Sequence, residues 1–280
     1  MDAEWIDEPS ALADFCRDID EGPVGVDTES DHYHAYQARV CLIQVAHGDQ
    51  EALVDPLAMD ARELQPLFNV LEDPGIVTIL HSARNDIKEI DRDYGVGVES
   101  LFDTQIAARF LGTDGFGLNW MLEELIGVET GDQFKRFDWT TRPIPPEARR
   151  YALDDVRYLD DLRQGFGHDL AKQGWLSAFR QQCEYVADSV TYQENEFDPQ
   201  GWRSINGSDG LDGRGRVVEL AQRRGRLRAD AGDRLQLHLS ADIAATRKRI
   251  GGPDSRARPL DPLLSPIVRG RRAFSRRPRI

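Results

Sequence analysis

Four carboxylates and one tyrosine, spread over about half of the chain, carry the strongest chemical signal. Asp27 and Glu29 stand in Val-Gly-Val-Asp-Thr-Glu, Asp86 follows His-Ser-Ala-Arg-Asn, and Tyr151 and Asp155 enclose Ala-Leu-Asp. Four carboxylates around one point could not all stay ionised without cations, and hard oxygen ligands suit Mg²⁺ or Mn²⁺. Two such ions about 3.5–4 Å apart are the usual apparatus for cutting a phosphodiester by in-line attack.

The elements predicted around these residues can place them together. The apolar run Pro23–Val26 predicts a strand, in which Asp27 and Glu29 share one face and Thr28 takes the other. The segment after Pro146 has a helical pattern, and the i, i+4 spacing puts Tyr151 and Asp155 on one helix face.

Each motif alone has an ordinary structural explanation. Asp-x-Glu and Tyr-x-x-x-Asp occur freely on surfaces, and Asp86 is also a suitable residue for a helix start. The functional interpretation depends on all three motifs occurring in order, each within a longer matching context.

That context resembles ribonuclease D and its relatives, the 3′→5′ exonucleases of the DEDDy group in the ribonuclease-H-like exonuclease superfamily. The resemblance covers roughly residues 1–185. Its motifs are Asp27-Thr-Glu29, Tyr36-Gln-Ala-Arg-Val-Cys-Leu-Ile-Gln44, Leu53-Val-Asp55-Pro56-Leu57, Ile79-Leu80-His81-Ser-Ala-Arg-Asn-Asp86, Phe102-Asp103-Thr104-Gln105, Asp138-Trp139-Thr-Thr-Arg142-Pro143 and Tyr151 to Leu159.

The resemblance implies a role for each site residue and two divalent metal ions, Mg²⁺ or Mn²⁺, as cofactors. Asp27 would bridge both ions, Glu29 and Asp155 would complete the site of the ion that activates water, and Asp86 would hold the ion at the leaving 3′ oxygen. Tyr151 would orient the attacking water, because a phenol with a pKa near 10 is a poor general base at pH 7.

Further residues near the motifs have two interpretations each. His81 either approaches the site or is a buried, hydrogen-bonded histidine; Asp103 and Thr104 either support the site or cap a helix; Phe137 and Trp139 either stack on a base or belong to the core. Two or three of the nearby basic residues are expected to bind phosphate. These are Arg84, Lys88, Lys135, Arg136, Arg142, Arg149 and Arg150.

Alternating strand and helix patterns predict an α/β fold with a mixed sheet flanked by helices, which the resemblance makes ribonuclease-H-like. Strands are predicted at 23–29, 39–46, 51–55 and 76–80, and helices at 8–20, 60–72, 84–94, 103–111, 117–126 and 146–170.

Three regions are predicted: an exonuclease domain at 1–186, a linker at 187–213 and a basic C-terminal region at 214–280. Relatives carry a helical nucleic-acid-binding domain at that place, and Trp202 resembles its opening. After about residue 218 the resemblance fades, so the region is either a disordered basic arm or a degenerate remnant of this HRDC-like domain.

Charge is uneven along the 280 residues, whose formal net charge is −14. Residues 201–280 contain 19 Lys and Arg against 8 Asp and Glu, whereas residues 1–200 contain 16 against 41. The acidic body should repel nucleic acid, and bound metal ions and the basic region would offset this repulsion. A second hypothesis is that the acidic body is an adaptation to high salt. Activity and stability should then rise between about 0.1 and 2 M KCl, and no rise would contradict the hypothesis.

Three scattered cysteines fit a reducing cytoplasm, and the lack of an apolar leader or of a long apolar stretch predicts no membrane association. The predicted function is a metal-dependent 3′→5′ exoribonuclease that releases 5′-mononucleotides from RNA 3′ ends, such as those of tRNA precursors. A 3′→5′ DNA exonuclease and a nucleic-acid-binding module without catalysis are the alternatives. The natural substrate and the oligomeric state stay open.

Overall fold

A mixed sheet of six strands organises the chain in this computed structural model. The structure describes residues 3–19, 21–35, 38–131, 133–190 and 192. The strands, in spatial order β1-β4-β3-β2-β5-β6, are antiparallel at β4-β3 and β3-β2 and parallel at the other pairs. Their bounds are β1 Glu4–Ile6, β2 Val24–Ser30, β3 Val40–His47, β4 Gln50–Val54, β5 Thr78–Leu80 and β6 Leu101–Asp103.

Helices cover both faces of this sheet. On one face, Val24 and Val26 of β2 pack with apolar residues of α1, α2 and α3; on the other face, α6 and α7 form two further apolar clusters. The helices are α1 Pro9–Arg17, α2 Gln65–Leu71, α3 Arg84–Tyr94, α4 Thr104–Leu111, α5 Leu118–Met121 with a π-helical turn at Leu122–Ile126, α6 Pro146–Arg157, α7 Leu159–Gln173 and α8 Leu176–Ser189.

The predicted fold class is confirmed, and four details differ. The helix predicted at 146–170 is two helices that part at Tyr158, because α6 lies on β2, β3 and β4 whereas α7 lies on β5 and α4. The helix predicted from residue 60 begins at Gln65, since the Asp60 carboxylate accepts hydrogen bonds from the backbone N–H groups of Arg62 and Glu63 and forms a separate turn.

The short strands β1 and β6 were not predicted, because three residues are too few to show an alternating pattern. Helix α8 was also missed, and it extends to Ser189, past the predicted domain boundary at residue 186. Apart from residues 187–190 and 192, the predicted linker lies outside the described residues, as does the basic region 214–280; the three-part division stays a prediction.

None of the helices in the described part of the chain is long and apolar enough to cross a membrane. The three cysteines, Cys16, Cys41 and Cys183, are buried free thiols.

Candidate active site

Three of the predicted carboxylates meet where α6 packs on β2. Asp27 and Glu29 project from the same face of the strand, and Asp155 faces them from α6; one oxygen from each lies within 4.8 Å of the others. Gly25 permits this close packing, since a Cβ there would lie 3.1 Å from the Val156 carbonyl oxygen. The alternation along β2 therefore delivers two acids to one helix.

Asp86 reaches β2 from a third element, the first turn of α3. Strand β5 pairs with β2 only at Val24 and Gly25, so the first turn of α3, which follows β5, lies beside the unpaired end of β2. The Thr28 hydroxyl donates a hydrogen bond of 2.6 Å to Asp86 Oδ1. Asp86 is thus held by the residue between the two β2 acids, and it is not the residue that caps α3, a position that Ala83 occupies.

The four carboxyl groups disfavour one another's ionised forms. Burial, followed by the neighbouring acids, raises the pKa of Asp27 and of Glu29 well above the ordinary values. Burial is also the main cause that raises the pKa of Asp86 and of Asp155 to about 7. Lys135 opposes the shift at Asp155.

This donor set fits a divalent cation. All the ligands offered are carboxylate oxygens, which hard cations such as Mg²⁺ and Mn²⁺ prefer, and the positive charge of a bound cation would favour the ionised forms that burial and mutual repulsion disfavour. The site is therefore a candidate metal centre.

Tyr151 lies one turn before Asp155 on α6, and two aromatic rings hold its side chain. Its ring centroid is 5.7 Å from that of Phe134 and 6.4 Å from that of Trp139, with the Trp139 ring stacked at 28°. Trp139 is only 1% exposed, and Phe137 packs edge-on against it at 5.0 Å. The core interpretation of Trp139 is therefore confirmed, and its proposed role in stacking on a base is wrong.

Two of the basic residues considered for phosphate binding are structural. Both Arg142 and Arg149 lie over the Trp5 ring. Arg142 forms two 2.6 Å hydrogen bonds to Asp55 and one of 2.7 Å to the Cys41 carbonyl, and Arg149 donates to the Ile144 carbonyl. These contacts give both residues structural partners, and the binding of phosphate by two or three of the seven stays a prediction. The other five, which are exposed, are Arg84, Lys88, Lys135, Arg136 and Arg150.

His81 and Asp103 stabilise the turn that leads into α3. His81 Nδ1 lies 2.9 Å from Thr104 Oγ1, and desolvation lowers the pKa of His81, so the hydrogen-bonded interpretation holds for a residue that is partly buried. Asp103 caps α4 by accepting from the N–H groups of Gln105 and Ile106. The same carboxylate accepts from Ser82 and Ala83, and thus both interpretations of Asp103 hold.

Sequence reasoning missed two groups beside the carboxylates. Gln44 lies opposite Asp27 in the β2–β3 register, is fully buried, and donates a long hydrogen bond of 3.4 Å to Asp27 Oδ2. Glu89, one turn after Asp86, accepts from the Ser30 hydroxyl at 3.2 Å. A glutamine inside the apolar run of β3 was the available signal, and Glu89 gave none.

This fold and this acidic cluster define a protein of the ribonuclease-H-like exonuclease class. A family model described as a 3′-5′ exonuclease matches residues 3–171, and the chain belongs to that family. It is similar to ribonuclease D of Pseudomonas paraeruginosa, with 32% identity over 212 residues that cover 71% of this chain and 54% of that relative. The chain thus spans about half the length of this relative.

Solved structures show the same fold. Escherichia coli RNase D, an exoribonuclease involved in structured RNA processing, superposes with a TM-score of 0.65 at 28% identity and covers 89% of this chain and 62% of its own. The catalytic core of RRP6 from Trypanosoma brucei has a TM-score of 0.71 at 23% identity, over 79% of this chain and 63% of that one. The ribonuclease D resemblance and the ribonuclease-H-like fold are therefore confirmed.

Proposed function

We propose that this protein is a metal-dependent 3′→5′ exoribonuclease that releases 5′-mononucleotides by two-metal-ion hydrolysis. The observation that carries the proposal is the cluster of Asp27, Glu29 and Asp155, with oxygens within 4.8 Å of one another and Asp86 beside them. The similarity to ribonuclease D supports RNA as the substrate.

The four carboxylates are the proposed metal ligands. Asp27, Glu29 and Asp155 form the tight group, and Asp86, held by Thr28, is placed to serve a second position. When bound, the ions would supply a deprotonated water as nucleophile and offset negative charge on the phosphate. The chain's own contribution is to hold these oxygens on three elements, β2, α3 and α6, before substrate arrives.

Tyr151 is the proposed orienting residue. Its ring contacts those of Phe134 and Trp139, which restrict the movement of the phenol. A hydroxyl fixed in this way, one turn from Asp155, can direct a lone pair of water toward phosphorus without accepting the proton. Tyr151→Phe should slow turnover and leave metal affinity unchanged.

Structured RNA 3′ ends, including those of tRNA precursors, are the proposed natural substrates. The support is the described role of the Escherichia coli relative in structured RNA processing. We further propose that the protein acts in the cytoplasm, in agreement with its three free thiols.

Digestion of matched 5′-labelled single-stranded RNA and DNA oligonucleotides tests the proposal, with Mg²⁺, with Mn²⁺ and with chelator. A ladder on RNA that requires metal, with little on DNA, is the expected result. Equal ladders would favour general 3′-end processing of both nucleic acids. Binding of RNA with no ladder under any metal would support the non-catalytic alternative and overturn the proposal.

A further inference from the structure

Two segments that flank the carboxylates meet through aromatic and basic side chains. One is the turn at residues 31–35, directly after β2, and the other is the stretch at residues 133–137, before α6. The Arg136 guanidinium lies 5.7 Å from the ring centroid of Tyr33, and His34 Nε2 is 3.1 Å from the Arg136 carbonyl oxygen. We call these meeting side chains, Tyr33 and Arg136, the rim pair.

Three successive residues of the second segment connect the rim pair to the site. The Phe134 ring packs against the ring of Tyr151, and the positive charge of Lys135 lowers the pKa of Asp155. Arg136, the next residue, contacts Tyr33. Tyr33 itself follows Glu29 by four residues, so its Cα lies within about 14 Å of the Glu29 Cα.

Tyr33 presents an exposed aromatic side chain. Its side chain is 56% exposed, although one side of its ring lies 4.1 Å from the ring of His32. The turn is already held by Asp31, whose carbonyl accepts from the N–H groups of His34 and Ala35 and whose carboxylate accepts from that of Arg39. An exposed tyrosine is therefore held in place by a turn that does not depend on it.

We infer that the rim pair is a stacking subsite for single-stranded RNA, which holds a base near the 3′ end on the Tyr33 ring and a backbone phosphate at Arg136. Aromatic rings beside basic side chains are the usual means of holding single strands, since every base has a π-face to stack. The positive charge of Arg136 would also attract the RNA backbone, which the acidic cluster of the site would otherwise repel. The inference rests on the proposed function.

Steady-state kinetics on a single-stranded RNA oligonucleotide provide the first test. Tyr33→Ala should raise KM about tenfold and leave kcat within about threefold, since stacking on one aromatic ring contributes an effect of this order. Tyr33→Phe, which keeps the ring, should behave as wild type, and Arg136→Gln should raise KM more at low salt than at high salt. Tyr185→Ala, at a tyrosine of α8 that is 61% exposed, is the matched control and should change nothing.

Abasic substrates then locate the stacked base. Single abasic sites are placed at each of the last three nucleotides, and wild type should lose affinity at one or two of them. At those positions the Tyr33→Ala substitution should cause no further loss of affinity, because the base that would stack on Tyr33 is already absent from the substrate. Additive losses at all three positions, or an unchanged KM for Tyr33→Ala, would overturn the inference.

The same variants separate this inference from the proposed function. Fluorescence anisotropy with labelled RNA and chelator measures binding without turnover. Weaker binding by Tyr33→Ala alongside an inactive wild type would retain the subsite and reject the exonuclease. An active wild type, with a Tyr33→Ala variant that binds and turns over RNA normally, would retain the exonuclease and reject the subsite.

Discussion

At the scale of single residues, the clustered carboxyl groups of the candidate site destabilise one another's ionised forms. Asp27 is a crowded carboxylate, since burial and three acidic neighbours all raise its pKa. Asp55 is its opposite, a buried aspartate whose charge is satisfied by two hydrogen bonds from Arg142. These two aspartates should therefore respond in opposite ways to loss of charge.

The prediction is that Asp27→Asn abolishes turnover and, in chelator at pH 8, raises the melting temperature by a few degrees. Removing one charge relieves the other three, and about 1 kcal/mol corresponds to roughly 2–4 °C in a domain of this size. Asp55→Asn is the control, which should lower the melting temperature because Arg142 loses its partner. A lower melting temperature for both variants would contradict this account of Asp27.

Gln44 is a second position where a substitution should change metal affinity and stability in different directions. Its amide nitrogen donates to Asp27, and among the described residues its Oε1 is a buried atom without a hydrogen-bond partner. Gln44→Leu removes that unsatisfied atom at similar volume, so the free energy of unfolding should stay equal or rise. Metal affinity should fall about tenfold, because the group that orients Asp27 is gone.

Metal titration followed by calorimetry, with urea unfolding in chelator, measures both effects for Gln44→Leu. Gln44→Glu serves as the comparison, since it adds a fifth carboxylate beside Asp27 and should cost stability in chelator. Unchanged metal affinity in Gln44→Leu would show that the long hydrogen bond to Asp27 has no orienting role.

At the scale of elements, one carboxylate joins the starts of two helices. Asp103 caps α4 and also accepts from Ser82 and Ala83, where the chain turns into α3 with Ser82 at a φ of 61°. The position of Asp86 in the first turn of α3 therefore depends on a residue that never touches it.

Asp103→Ala should lower the free energy of unfolding by about 2–4 kcal/mol, because a buried cap that serves four N–H groups is lost. Metal affinity should fall as well, since the start of α3 loosens. Asp60→Ala is the matched control: Asp60 holds an exposed turn through two N–H groups, so the loss should be near 1 kcal/mol with metal affinity intact. Urea unfolding and metal titration of both variants check the prediction.

The same elements explain how far sequence reasoning could reach. Asp27 and Glu29 were placed on one face because they continue the apolar run of β2 and residues two apart in a strand share a face, and α3 was predicted at its observed bounds by its apolar periodicity. The roles of Arg142 and Trp139 depend on partners far along the chain, such as Asp55 and Tyr151, which no local pattern encodes. Tertiary contacts decided those residues.

At the scale of the whole molecule, the balance of charge sets how RNA can be held. The acidic body contrasts with residues 201–280, which carry 19 basic and 8 acidic residues. The last described residue, Tyr192, donates its N–H to Asp91 of α3, the helix that carries Asp86. The chain therefore passes a helix of the candidate site before it continues toward the basic region.

Replacing Arg271, Arg272, Arg276 and Arg277 with Gln should therefore weaken RNA binding several-fold at low salt. The slope of log affinity against log salt should also become shallower, by about 0.7 for each phosphate of the single strand that this fourfold variant no longer neutralises. Anisotropy between about 0.05 and 0.5 M KCl measures the slope. An unchanged slope would mean that the basic region does not hold the phosphate backbone.

The last prediction concerns how protons and metal compete across the whole site. Because the pKa of Asp86 and of Asp155 is raised to about 7 by folding, the native state binds more protons than the unfolded state between about pH 4 and pH 7. In chelator, the free energy of unfolding should therefore fall as pH rises from about 5.5 to 8, by roughly 2 kcal/mol for each of the two groups. His81, whose pKa is lowered, opposes this trend only below about pH 6.5.

Metal should reverse that trend, because it binds the ionised carboxylates of the native state and must displace protons at low pH. Urea unfolding at pH 5.5 and pH 8, with chelator and with excess Mg²⁺ or Mn²⁺, should show the larger stabilisation at pH 8. In the Asp155→Asn variant the dependence in chelator should flatten and the metal effect should shrink. A metal effect that is equal at both pH values would mean that the ion does not replace the protons of this cluster, and the site would have to be reassigned.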